Sequence, residues 1–441
     1  MKRMLGLYVH IPFCRSKCDY CDFYSISGDE TQMRTYHEGL TRHLKEAAVL
    51  SKGHSVDTIY FGGGTPSYYG EHRLRQLLKT IGHAFSVHPL AEITLEANPD
   101  SVTETSLAHL RKAGFNRISI GMQSDDNNLL QNLNRPHTFE QTQAAVKAAR
   151  KAKFENLSLD LMYGLPGQTP ERWRETLNAA ISLAPEHLSC YGLKLEEGTP
   201  LHARRDTLTL PDDDMQADMY LETIQILKDA GYEQYEISNF AKPGFASRHN
   251  MKYWKLEEYL GFGPGAHSDC GGYRYSFVRD LAAYVEGIHA GASVIDTCEF
   301  IPKKERHGEY LMLRLRTTEG IAESEYARPH AMRFEPLEKL LQTYQKQGWA
   351  VCENGRWHFT PQGFLLSNQL IGQLIDAQEE VPIGNWRAYG TCASPSSNST
   401  DQASDRLSVP ASHLLLENER GKRDAPITGS NYSVSPPTDL I

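Results

Sequence analysis

Apolar and polar positions follow two alternating periods through the first half of the chain. Leu7–Ile11, Val56–Phe61, Glu92–Glu96, Arg117–Met122, Leu157–Tyr163 and His187–Leu195 read as short strands. Between them, Thr31–Lys52, Glu71–Phe85, Ser106–Ala113, Thr138–Lys153 and Pro170–Leu183 repeat apolar residues every three to four positions, as helices with one buried face require. Pro170 falls in the first turn of its helix, where a missing N–H is no loss. Strands alternating with helices in this way predict an α/β fold with a parallel sheet, either doubly wound or closed into a barrel. Polar or glycine-rich motifs follow almost every strand on its C-terminal side, the edge where both architectures bind ligands.

The second half changes character. A helix is predicted over Asp212–Ala230 and a strand-like stretch over Gln234–Ser238, followed by glycine-rich turns. Beyond His307, Glu309–Leu315, Pro336–Gln347 and Pro361–Ile375 look helical, and Trp349–Asn354 with Arg356–Thr360 forms a hairpin turning at Asn354-Gly355. That pattern predicts a small winged-helix-like α+β domain, better suited to a lid or docking module than to reading DNA. Past Pro382 no apolar periodicity survives, and Ser394–Ser404 is rich in Ser, Asn, Thr and Pro. A tail of this composition cannot bury enough surface to offset its ordering entropy, so disorder is expected there. The expected organisation is a core at residues 1–235, an extension at 236–305, the C-terminal domain at 306–380 and the tail at 381–441.

The formal net charge of -9 opposes a phosphate backbone, so no nucleic-acid partner is expected. No run of about 18 apolar residues occurs, so no membrane span is predicted. The N-terminus passes from Met1-Lys2-Arg3 into a strand without the apolar stretch of a signal peptide. The expected compartment is the cytoplasm, with peripheral membrane contact left open.

Of eight cysteines, Cys14, Cys18 and Cys21 crowd into one short segment and the others are scattered. That is not a disulfide framework; in a reducing compartment clustered thiols read as metal ligands. The segment His10-Ile11-Pro12-Phe13-Cys14-Arg15-Ser16-Lys17-Cys18-Asp19-Tyr20-Cys21 has the spacing C-x3-C-x2-C directly after the first strand. A zinc site wants four ligands, and only His10 lies nearby in sequence. A cubane iron–sulfur cluster usually takes four thiolates, so three leave one iron open. That iron can chelate the amino and carboxylate groups of S-adenosylmethionine, whose reductive cleavage yields a 5′-deoxyadenosyl radical.

The loop, with an aromatic residue before its last cysteine and the strand–helix series behind it, resembles the radical S-adenosylmethionine (SAM) superfamily. The resemblance implies a partial (β/α)6 TIM-like barrel with a [4Fe-4S] cluster at the C-terminal ends of its strands. It also implies SAM contacts at Tyr8, Tyr20, Gly63, Gly64, Thr65, Glu96, Gln123, Arg135 and Asp160. Of these, Gly62-Gly63-Gly64-Thr65-Pro66 follows the second strand, where glycines let backbone approach a ligand. Carboxylates at Glu96 and Asp160 suit ribose hydroxyls, and Arg135 suits a carboxylate.

Tyr8–Cys14, Gly62–Pro66, Arg117–Gln123 and Asp160–Gly167 are most similar to the HemN family, which includes the coproporphyrinogen III dehydrogenases and the HemW haem chaperones. The dehydrogenases carry another Cys two residues after the third, where this chain has Phe23, and an N-terminal extension before the position of Tyr8. Conversely, His249-Asn250-Met251-Lys252-Tyr253-Trp254 matches the H-N-x-x-Y-W signature of the haem chaperones. The resemblance therefore implies haem contacts at His249, Tyr253 and Trp254, with His267 as a weaker candidate. It further implies transfer of haem to acceptor apoproteins and an electron donor for the cluster. The alternative is a coproporphyrinogen III dehydrogenase. The sequence leaves open whether the protein turns over a substrate as an enzyme.

Overall fold

The computed structural model describes residues 2–379; the segment expected to be a disordered tail lies outside the described residues. Six parallel strands, β1 (Arg3–Ile11), β2 (His54–Gly63), β3 (Val87–Ala97), β4 (Arg117–Gln123), β5 (Asn156–Tyr163) and β6 (His187–Gly192), pair in chain order. Along β1 the alternation is plain. Leu5, Leu7, Val9 and Ile11 are fully buried among the outer helices, while Tyr8 and His10 belong to the opposite, inner face.

The helices between strands start where side chains cap them. Asp29 with Gln32, Thr103 with Ser106 and Thr138 with Gln141 form reciprocal capping boxes, and Thr169 caps the helix that begins at Pro170. The fold is thus α/β, a partial (β/α)6 barrel.

Residues 236–305, read from sequence mainly as glycine-rich turns, contain more order than expected. Strands β7 (Glu233–Gln234) and β8 (Asn239–Ala241) run antiparallel beyond β6. A helix occupies Arg248–Trp254, and β9 (Tyr259–Phe262) pairs in parallel with the other side of β1. Antiparallel strands β10 (His267–Cys270), β11 (Tyr273–Phe277) and β12 (Ile295–Phe300) complete one twelve-stranded sheet, and a helix spans Leu281–Ala290. Gly261, Gly263, Gly265, Gly271 and Gly272 break up the alternation here, which hid these strands in the sequence. The end strands β12 and β7 are not paired with each other, so the barrel stays open.

The C-terminal unit has its own core, which includes Leu311, Leu337, Leu341, Ala350, Phe359 and Leu374. Its strands β13 (Ile321–Ala322), β14 (Ala350–Glu353) and β15 (Arg356–Phe359) form a small sheet beside helices at Glu323–His330 and Glu335–Lys346. The helix expected over Pro361–Ile375 is two helices, Pro361–Leu365 and Ser367–Glu379. Tyr220 on the helix Asp213–Asp229 enters this second core. Backbone bonds from Ile237 N to Arg316 O (2.9 Å) and from Thr318 N to Tyr235 O (3.1 Å) tie the unit to the barrel. No helix of the described residues is long and apolar enough to cross a membrane.

Candidate functional site

The barrel encloses a cleft of about 450 Å³. Its rim carries the cysteine loop and its walls carry the inner positions of β2 to β6. Those positions follow the strand period: Arg117, Ser119, Gly121 and Gln123 of β4 all line it, as do Asp160 and Met162 of β5 and Ser189 and Tyr191 of β6.

The cysteine loop is anchored on several sides. Gly64 N donates to Ile11 O and Thr65 N to Phe13 O, both at 2.8 Å, so the end of β2 holds the start of the loop. Cys14 N donates to Ile26 O at 3.0 Å, Asp19 N to Leu133 O at 3.1 Å, and Leu201 N to Asp19 O at 2.9 Å. Cys14, Cys18 and Cys21 are free thiols that line the same cleft. Thr65 Oγ1 donates to Cys14 Sγ at 3.3 Å and Arg135 Nη1 to Cys18 Sγ at 3.4 Å. Burial pushes the Cys14 and Cys21 thiols above their ordinary pKa, Cys21 to about 11.

The glycine segment also has a packing role. Gly63 has φ 110°, and a Cβ there would stand 2.5 Å from the His10 ring. A Cβ on Gly64 would meet Ile11 O and the Phe13 backbone at 2.9 Å. The glycines let β2 end flush against the cysteine loop; both also line the cleft.

Glu96, Gln123, Arg135 and Asp160 come together in the cleft, with Tyr8, Tyr20 and Thr65. Glu96 accepts from Tyr60 Oη (2.7 Å) and Gly63 N (3.1 Å); burial nonetheless lifts its pKa to about 7. Asp160 accepts from Ser119 Oγ at 3.0 Å, and burial raises its pKa also. Arg135 Nη2 donates to Asn98 Oδ1 and Gly121 O, both at 2.9 Å, while its Nε is buried with no partner.

The helix Arg248–Trp254 crosses the floor. Glu92 on β3 accepts from Arg248 N (3.2 Å) and His249 N (3.0 Å), taking up two orphan donors of the helix start. His249 is 1% exposed: its Nδ1 lies 2.8 Å from Thr58 Oγ1, its Nε2 2.9 Å from Tyr253 Oη, and its ring stacks on Tyr60. Burial, helped by the Lys252 and Arg117 charges, lowers its pKa to about 3, so the imidazole is neutral.

His249, Asn250 and Tyr253 line the cleft. Trp254 is buried, and the structure does not bring it to this cleft: on a helix, residue 254 points about 100° away from residue 253. His267 lines a small side recess with Tyr8, His10 and Tyr24 instead.

The sequence reading missed Tyr60, Asn98, Ser119 and Arg117. Each sits an even number of positions from a residue it named, on the same strand or just past its end. Arg117 is 2% exposed, and its Nε has no partner. Burial alone would lower its pKa, but Glu92, Tyr60, Tyr235 and Asp160 outweigh that and keep it charged.

This architecture agrees with what known proteins show. The radical SAM superfamily profile matches residues 8–180, and the HemN C-terminal domain profile matches residues 301–366. The heme chaperone HemW of Bacillus subtilis is 34% identical over 377 residues, covering 84% of this chain and 99% of that protein. The chain belongs to the HemW family. HemW of Escherichia coli is likewise 34% identical, over 83% of this chain and 97% of its own length. Among solved structures, the coproporphyrinogen III oxidase HemN of Escherichia coli, described as a radical SAM enzyme, superposes with a TM-score of 0.73. It is 26% identical, over 85% of this chain and 90% of that one. HemW membership favours the chaperone reading over the dehydrogenase.

Proposed function

We propose that this protein is a haem chaperone: it binds haem, carries a SAM-liganded [4Fe-4S] cluster and passes haem to acceptor proteins. The observation that carries the cluster is the meeting of Cys14, Cys18 and Cys21 in one anchored loop at the rim of a cleft that also holds Glu96, Arg135 and Asp160. Burial raises the Cys14 and Cys21 thiols, so these keep their protons until a metal displaces them, and Thr65 and Arg135 donate to the Cys14 and Cys18 sulfurs. When bound, the cluster supplies an open iron for the amino and carboxylate groups of SAM.

The remaining residues orient that cofactor. Arg135 has one donor, Nε, left unused by the protein and suited to the methionine carboxylate. Glu96 and Asp160 supply acceptors for ribose hydroxyls, and Gln123, held at φ 62°, turns back into the cleft. Tyr8 and Tyr20 supply aromatic walls.

For haem, the proposed contacts are His249 and Tyr253, on the same helix as the buried Trp254. A neutral imidazole is the form that binds haem iron, and burial keeps His249 neutral. Its Nε2 becomes available only when the Tyr253 hydroxyl lets go. Acceptor apoproteins and an electron donor for the cluster are the partners this reading requires; the cytoplasm is the compartment it suits.

Two assays on the anaerobic, cluster-loaded protein test the proposal. Haem titration is expected to shift the Soret band, less so in His249→Ala, and coproporphyrinogen III is expected to give no protoporphyrinogen. Decarboxylation without haem binding sinks the chaperone reading.

A further inference from the structure

A second cluster of ligating side chains lies at the opposite end of the sheet from the cysteine loop. His54 opens β2, Glu258 precedes β9 and Cys270 closes β10, so three chain segments converge beside the start of β1. One imidazole nitrogen, one carboxylate oxygen and the Cys270 sulfur all lie within 4.8 Å of one another. His54 Nε2 is 2.9 Å from Glu258 Oε2, and Gly271 N donates to Glu258 Oε1 at 2.8 Å. His54 is buried, and its Nδ1 has no hydrogen-bond partner. Glu258 and Cys270 are half-buried.

This donor set has a definite preference. Imidazole, thiolate and carboxylate together suit zinc, whereas magnesium and calcium take oxygen ligands. Ligands at about 2.0–2.3 Å from a tetrahedral zinc stand roughly 3.3–3.7 Å apart. That lies between the 2.9 Å of the His54–Glu258 pair and the 4.8 Å within which all three atoms fall, so binding asks the first pair to part slightly and any longer spacing to shorten. The charges also balance: zinc with one thiolate, one carboxylate and a neutral imidazole has no net charge, which suits a half-buried place. The Arg3 guanidinium, 4.0 Å from Glu258 Oε2, is exposed and free to move outward.

We propose that His54, Glu258 and Cys270 form a zinc site, with water in the fourth position, that clamps the start of β2 to the β9–β10 pair. Binding is an exchange: zinc enters, Cys270 gives up its thiol proton to solvent, the hydrogen that His54 Nε2 shares with Glu258 moves to Nδ1, and no electron moves. For Glu258, burial would raise the pKa, but the Gly271 N–H and His54 outweigh it and hold the carboxylate below its ordinary range, ready to ligate. The clamp would tie the extension to the barrel at the end remote from the cofactor cleft.

The test uses the cluster-loaded protein, zinc chloride and gel filtration, with iron and zinc counted in the same sample. Wild type and Cys298→Ser are expected to retain about one zinc per chain, and Cys270→Ser and His54→Ala to lose it about tenfold or more, with cluster iron unchanged. Cluster iron also reports whether each variant has folded. A second measurement needs no variant: zinc is expected to protect Cys270 of the wild type from iodoacetamide, mapped by mass spectrometry. Equal zinc retention in wild type and folded Cys270→Ser overturns the proposal, as does alkylation of Cys270 that ignores zinc.

Discussion

The Nε2 of His249 and the hydroxyl of Tyr253, one helical turn apart, lie 2.9 Å from each other. With Nδ1 on Thr58, this leaves the imidazole no free nitrogen. Haem ligation by His249 therefore has to break one bond first, and Tyr253→Phe removes it in advance. A hydrogen bond is worth about 1 kcal/mol net, so Tyr253→Phe is expected to tighten haem binding about fivefold in a Soret titration. His249→Ala should weaken it. If neither variant changes the affinity, haem binds elsewhere.

The three loop cysteines are expected to act as a set. Serine at Cys14, Cys18 or Cys21 should abolish the cubane, read as loss of iron, sulfide and visible absorption. Serine at Cys190 or Cys352, which lie outside the loop, should leave all three signals intact. A cubane that survives Cys18→Ser contradicts the ligand assignment.

Arg135 bridges Cys18, Asn98 and the Gly121 carbonyl while keeping Nε in reserve. A lysine has one charged nitrogen and cannot span these positions. Arg135→Lys is expected to weaken SAM binding about tenfold or more, followed by the change SAM causes in the electron paramagnetic resonance of the reduced cluster. An unaltered SAM response rules out the proposed carboxylate contact.

Glu96 connects the site to stability. Its pKa rises from 4.5 to about 7 in the folded protein because burial disfavours its charge. Between those values the folded state holds a proton that the unfolded state has lost, so the Glu96 contribution falls as pH rises through that window. Glu96→Gln removes this dependence. Relative to wild type, the variant should gain about 1.4 kcal/mol per pH unit between the two values, before solvent relaxation reduces the figure. Urea midpoints for both proteins at pH 5 and pH 7.5 check it; parallel pH profiles refute it.

Gly63→Ala tests the seam between β2 and the cysteine loop. Its φ of 110° and the His10 ring 2.5 Å from a new Cβ are expected to cost about 2–3 kcal/mol in urea unfolding. A loss under about 0.5 kcal/mol means the seam relaxes readily.

Much of the barrel was legible because local pattern and tertiary demand coincide. The alternation of Leu5, Leu7, Val9 and Ile11, and capping pairs such as Thr138 with Gln141, impose their period on short stretches of chain. The cysteine spacing was equally local, since three thiols in one loop need no distant partner to be recognised. Glu96, Gln123, Arg135 and Asp160 were singled out because polar residues at strand ends signal a ligand edge, and all four line one cleft.

Other features depended on residues far apart in the chain. That His249 is a floor residue pinned by Thr58 and capped by Glu92 requires contacts across 191 and 157 positions. The same holds for His54, Glu258 and Cys270, which share no local signal. Strands β9 to β12 were obscured by glycines and exist because neighbouring strands pair with them. Local pattern determined the parallel core and the spacing of the loop thiols because each turns on neighbouring residues. Only folding decided which face of the H-N-x-x-Y-W helix meets the cleft, because that depends on what the barrel places beneath it.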